Sequence, residues 1–70
     1  MTDDVLHQLG QRIRNLRTQA KISQESLGYI SGLHRTYVGA IERGERNPSI
    51  VSLKKIADAL NVTLRDLFDE

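Results

Sequence analysis

The sequence predicts an all-α chain of five helices, and three observations carry that prediction. Apolar residues recur at three- and four-residue steps, the spacing that lines one face of a helix. No segment sustains the two-residue alternation of a strand, and aromatic residues, which strands favour, make up only 4% of the chain. The single proline, Pro48, falls between two helical patterns and interrupts neither.

Leu6, Leu9, Ile13, Leu16 and Ala20 form the stripe of a first helix over residues 4–21. Ile22 leads into Ser23, whose hydroxyl can cap a second helix over residues 24–31, with Leu27 and Ile30 inward and Gly32 as its end. A third helix over residues 35–43 follows a tight link containing Leu33, with Val38 and Ile41 inward and Gly44 as a left-handed stop. Pro48 biases Asn47 to an extended backbone, and Ser49 then caps a fourth helix with Leu53, Ile56, Ala57 and Leu60 inward and Asn61 as its stop. Thr63 opens a short fifth helix bearing Leu64, Leu67 and Phe68, with Asp66 three residues on in a capping-box position normally held by Glu or Gln. The 70 residues read as one domain, with no repeat or linker.

Composition excludes several classes of function. A chain of 70 residues has no room for an enclosed active site. It has no cysteine, and His7 and His34 are isolated; there is no nucleophile–base motif, no Gly-x-Gly-x-x-Gly and no cluster of metal ligands. An enzyme is therefore not expected, nor a metal, cofactor or small-molecule ligand. No apolar run approaches the roughly 18 residues of a membrane span, and Asp3 and Asp4 make the start acidic where a signal peptide is basic. The expectation is a soluble, unprocessed, cytoplasmic protein associated with the nucleoid.

Charge is informative once divided along the chain. Residues 5–55 hold nine basic side chains against three acidic ones, whereas Asp3, Asp4, Asp58, Asp66, Asp69 and Glu70 crowd towards the ends. Such a body suits a polyanion, with acidic tips turned away from it. The alternative is a mixed-charge, solvated surface.

Two short helices joined by a tight glycine-containing turn, here residues 23–43, form a helix-turn-helix, in which the second helix enters the major groove of DNA. The runs Ile22-Ser23-Gln24-Glu25-Ser26-Leu27, Gly32-Leu33, Ile41-Glu42-Arg43-Gly44, Asn47-Pro48-Ser49 and Ile56-Ala57-x-Ala59-Leu60-Asn61-Val62 resemble the Cro/lambda-repressor-like helix-turn-helix family over residues 9–68. His34-Arg35-Thr36-Tyr37-Val38, followed by Arg46-Asn47, further resembles the small stand-alone controller proteins of restriction–modification operons.

Stepping the third helix by 100° per residue places Val38, Ile41 and Glu42 on one side and Arg35, Thr36, Gly39, Ala40 and Arg43 on the other, which is the candidate reading face. Arg35 can bind guanine O6 and N7 bidentately, and Thr36 can donate to a base or offer its methyl to thymine. A solvated or phosphate role is the alternative for each. Gly39 and Ala40 leave a shallow outer patch for close approach to base edges, unless Gly39 is merely a tolerated surface glycine. Tyr37 lies on the flank, either packing or reaching a phosphate. Free amides at Ser23-Gln24 and Ser49-Ile50 offer phosphate anchors. Arg43, Arg46 and Asn47, near the exit of the third helix, suit phosphates or the groove edge, the alternative being a solubility role.

The family resemblance implies further roles. Gln24 matches a residue that grips the DNA backbone and braces the first residue of the reading helix, here Arg35. Arg17 and Glu42 match a buried ion pair. Gly28 stands where the family has alanine, a departure expected to loosen the second helix, and His34 stands where a small polar cap is usual. Family members of this layout dimerise through the C-terminal region, here residues 61–68, where Leu64, Leu67 and Phe68 are more apolar than docking requires; alternatively these residues only close the monomer's core.

One such module contacts too few bases for tight specific binding, so a homodimer on an inverted-repeat operator is expected. The expected function is a sequence-specific transcriptional regulator of double-stranded operator DNA, with autoregulation of its own operon as one form and RNA polymerase as a further candidate partner. The alternative class is an antitoxin or other protein-interaction module.

Overall fold

The computed structural model describes residues 2–68, with side chains from residue 5 onward. Asp69 and Glu70, and the side chains of Asp3 and Asp4, lie outside the described residues, and with them much of the expected acidic-tip arrangement. In chain order the elements are α1 (Thr2–Gln19), α2 (Gln24–Ser31), α3 (Arg35–Glu42) and α4 (Ile50–Ala59), followed by a single 3-10 turn, Arg65–Leu67. All described elements are helical, but there are four α-helices where five helices were expected.

The difference lies after Thr63. The Asp66, Leu67 and Phe68 amides donate to the carbonyls of Thr63, Leu64 and Arg65, each an i→i−3 bond, so the segment winds as a 3-10 turn. The capping box does form. The Thr63 amide donates to the Asp66 carboxylate at 2.9 Å and the Asp66 amide to the Thr63 hydroxyl at 3.1 Å. Arg12 Nε of α1 donates to the Asp66 carbonyl at 2.8 Å, which ties the turn to α1.

Serine hydroxyls cap two helices as expected: Ser23 accepts from the Ser26 amide and Ser49 from the Ser52 amide, both at 3.0 Å. The four α-helices end alike, each on a left-handed residue with a six-to-one backbone bond spanning it: Ile22 to Arg17, Leu33 to Gly28, Glu45 to Ala40 and Val62 to Ala57. The left-handed residues are Lys21, Gly32, Gly44 and Asn61. α1 thus ends at Gln19, two residues before the expected stop, and Ala20 lies exposed in the turn.

One cluster forms the core: Leu9 and Ile13 of α1, Leu27 of α2, Val38 and Ile41 of α3, Leu53, Ile56 and Ala57 of α4, with Leu60 and Leu67. Two glycines set how closely the helices approach. A Cβ at Gly10 would collide with the carbonyl oxygens of Ile41 and Glu42, so α1 lies directly on the end of α3. At Gly28 a Cβ would stand 2.7 Å from the Leu33 carbonyl oxygen and 3.1 Å from the Arg35 nitrogen. Gly28 therefore permits the tight α2–α3 crossing; it is not the loosening substitution expected from the family pattern. Ile30, expected inward, is 56% exposed, because α2 turns Leu27, Gly28 and Ser31 to its neighbours.

Candidate nucleic-acid interface

α3 is eight residues long, about 12 Å at 1.5 Å per residue, and an α-helix, about 10–12 Å across with its side chains, is admitted by the roughly 12 Å width of the major groove. Its buried side carries Val38, Gly39, Ile41 and Glu42, and its exposed side Arg35 and Thr36, with Arg43 just beyond its end. The helix start is capped by His34, whose Nδ1 accepts from the Thr36 amide at 3.0 Å. An imidazole thus does the work of the usual small polar cap, in the tautomer that leaves Nδ1 unprotonated.

Beneath α3 lies a fully paired polar cluster. Arg17 Nε donates to Glu42 Oε2 at 2.6 Å and Arg17 Nη2 to Glu42 Oε1 at 3.0 Å, with the Glu42 side chain only 2% exposed. Gln24 Nε2 donates to the same Oε1 at 2.9 Å, and Arg17 Nη1 to the Ile22 carbonyl at 2.9 Å. One carboxylate therefore fastens α1, the start of α2 and the end of α3 together. Among the described residues no buried side-chain polar atom lacks a partner, as a cluster of charges removed from water requires.

Several expected site residues are placed differently. Gln24 is turned to Glu42; the side chain beside Arg35 is instead Glu25, with Oε2 3.3 Å from Arg35 Nη1. Gly39 is buried, roofed by Gln24 and Arg43: a Cβ there would stand 3.3 Å from Gln24 Oε1 and 3.1 Å from Arg43 Nη1. It is therefore not an open patch, and Ala40 beside it is half-buried. Leu67 is fully buried in the monomer's core, so it offers no surface to a second copy; Leu64 is half-buried and Phe68 56% exposed.

The remaining cations border the same face. Arg43 Nε stands 3.1 Å from Glu45 Oε2, and the Arg46 guanidinium lies 5.2 Å from the centre of the Tyr37 ring. Tyr37 itself is half-buried, its hydroxyl 3.5 Å from Ser52 Oγ at the outer limit of hydrogen bonding. Ser23, Asn47 and Ser49 are exposed. Sequence reasoning missed the Glu25–Arg35 and Glu45–Arg43 pairs. Opposite charges close in the chain signalled the second; only the helix-turn-helix crossing brings the first together.

Among the described residues no helix is long and apolar enough to cross a membrane, and no group of three or more His, Asp or Glu side chains could hold a metal ion.

An exposed polar helix face, locked from behind to a second short helix across a tight turn, defines the helix-turn-helix class of fold. The helix-turn-helix family model HTH_3 matches residues 13–67, and the chain belongs to this family. It is 43% identical over 70 residues to Control protein C.BamHI of Bacillus amyloliquefaciens, covering 99% of this chain and 86% of that one. Control protein C.SmaI of Serratia marcescens is 44% identical over 64 residues, with 91% and 76% covered. Among solved structures, the restriction-modification controller protein C.AhdI from Aeromonas hydrophila superposes with a TM-score of 0.89 at 52% identity, covering 90% of this chain and 96% of that chain. The relatives thus carry the names of regulators.

Proposed function

We propose that this chain is a sequence-specific DNA-binding transcriptional regulator of the restriction–modification controller type, acting as a homodimer on an inverted-repeat operator. The observation that carries the reading is the two-sidedness of α3: Arg35 and Thr36 are exposed at its start, while Glu42 anchors its far side to α1 and α2. Arg35 and Thr36 read base edges, with Arg43 beyond them. The capped starts of α2 and α4, at Ser23-Gln24 and Ser49, face phosphates. Tyr37, Arg46 and Asn47 flank them.

The dimension of the body supports a second copy. At 31 × 23 × 21 Å, one chain with a single reading helix cannot serve two half-sites about 34 Å apart. Phe68 and Leu64, both left at least partly exposed, form the contact; Leu67 supports it from within the core. Autoregulation follows if the operator lies before the chain's own gene.

Selection of bound duplexes from a random pool tests this reading. The expected product is a twofold-symmetric sequence with half-sites about one helical turn apart, bound 10³–10⁵-fold more weakly at about 200 mM than at about 50 mM salt if 6–10 phosphates are neutralised. Failure to enrich any sequence overturns it. Charged residues in place of Leu64 and Phe68 should yield monomers on sedimentation; persistent dimers would move the contact elsewhere.

A further inference from the structure

Both arginines of the reading face carry a carboxylate. Glu25, in the first turn of α2, lies 3.3 Å from Arg35, and Glu45, just after α3, lies 3.1 Å from Arg43. All four side chains are more than half exposed, so neither pair belongs to the core. Their placement opposes simple polyanion binding: two negative charges stand where phosphates are to be met, one of them at a helix start that would otherwise attract anions. We infer that Glu25 and Glu45 are specificity determinants, which bias Arg35 and Arg43 away from phosphate and towards base edges; the inference rests on the DNA-binding reading above.

The physical argument turns on what each arginine can still offer. An arginine–glutamate pair is close to neutral and has little net attraction for a phosphate monoanion. A phosphate must either displace the carboxylate or approach it. Guanine presents the neutral acceptors O6 and N7, which meet no such repulsion. A guanidinium has five N–H donors in a fixed fork, and the contact between Arg35 and Glu25 engages one nitrogen, Nη1. The edge of Arg35 formed by Nε and Nη2 stays available for a bidentate base contact, whereas on Arg43, where Glu45 takes Nε, the edge formed by Nη1 and Nη2 does. Because exposed pairs contribute only about 0–1 kcal/mol, the carboxylate steers the arginine without trapping it. On random duplex each arginine stays with its glutamate; on the operator it binds the base and keeps the glutamate as a second partner.

The test compares Glu25→Gln and Glu45→Gln with the wild type on two duplexes: one of random sequence about two helical turns long, and one enriched from a random pool by the wild type. Asp58→Asn serves as the control, because it removes the same charge from a pair with Lys54 on α4 that involves no reading arginine. Each Gln variant should bind random duplex roughly two- to fivefold more tightly. Its log K against log[salt] slope should steepen by about 0.9 for every arginine released to a phosphate. The slope on the enriched duplex should stay as in the wild type, so discrimination falls, and melting temperature should not change. Equal gains on both duplexes, the same effect from Asp58→Asn, or no effect would each overturn the inference while leaving the DNA-binding reading intact. A wild type that binds neither duplex would overturn both.

Discussion

Arg17–Glu42 and Arg35–Glu25 are the same pair of functional groups in opposite surroundings. The first is sealed between α1 and α3, with Gln24 and the Ile22 carbonyl completing its hydrogen bonds. The second is open to water on the outer side of α2 and α3, held by one contact of 3.3 Å. Burial decides what each can do. Removing one member of the sealed pair strands a charge in a medium that cannot solvate it, so the pair behaves as a fixed joint. The open pair exchanges with water at little cost, so its arginine stays available to a ligand. One helix is thus rigid on one face and adaptable on the other, as a reading element requires.

Substitutions can break or sharpen this contrast. The largest effect is expected from Glu42→Ala, which should cost about 3–5 kcal/mol and lower Tm by at least about 12 °C in thermal denaturation. The double change Arg17→Met with Glu42→Leu should recover much of that loss, because no charge is left stranded. If Glu42→Ala alone were tolerated, the two pairs would not differ in kind. Arg35→Ala should leave stability within about 0.5 kcal/mol, yet cost about 1–3 kcal/mol of operator binding and relax one base position per half-site. Gly10→Ala should cost about 1–3 kcal/mol by forcing α1 away from α3, read as a lower denaturation midpoint with DNA preference unchanged.

The smallest effect concerns Asp66. Its hydrogen bonds from the Thr63 amide and then the Thr63 hydroxyl hold its carboxyl below the usual 3.8. A depressed carboxyl contributes stability above its ordinary pKa and loses it as pH falls through the lowered value. Order in the C-terminal turn, followed by amide exchange, should therefore be flat down to about pH 4 and decline below it. Asp66→Asn should weaken the turn slightly at neutral pH and remove that decline.

Local chemistry was legible in the sequence wherever one residue decides it. Ser23 and Ser49 as caps, Gly32, Gly44 and Asn61 as left-handed stops, and the Thr63–Asp66 box all follow from side chains acting within a few residues. Misreadings arose where a helix end or the packed face of a helix, rather than one side chain, decides the outcome. After Thr63 the amides bond three residues back, which gives a 3-10 turn in place of a helix. Lys21 accepts a left-handed backbone although it is not glycine, so α1 stops early. Ile30 sits at helical spacing from Leu27, but α2 turns Leu27, Gly28 and Ser31 to its neighbours, and Ile30 is left exposed. At the candidate site, the exposure of Arg35 and Thr36 follows from periodicity. Which side chain stands beside Arg35 depends on how α2 crosses α3, and there Gly28 and the pull of Glu42 on Gln24 bring Glu25 forward.

Backbone amide NMR shifts during titration with the enriched duplex test the central claim most directly. The account predicts the largest changes at Arg35, Thr36, Tyr37 and Arg43 and at the helix starts Gln24 and Ile50, with Tyr29, Ile30 and Asp58 unaffected. Shifts concentrated on Tyr29, Ile30 and Asp58, with Arg35 and Thr36 unmoved, would contradict it.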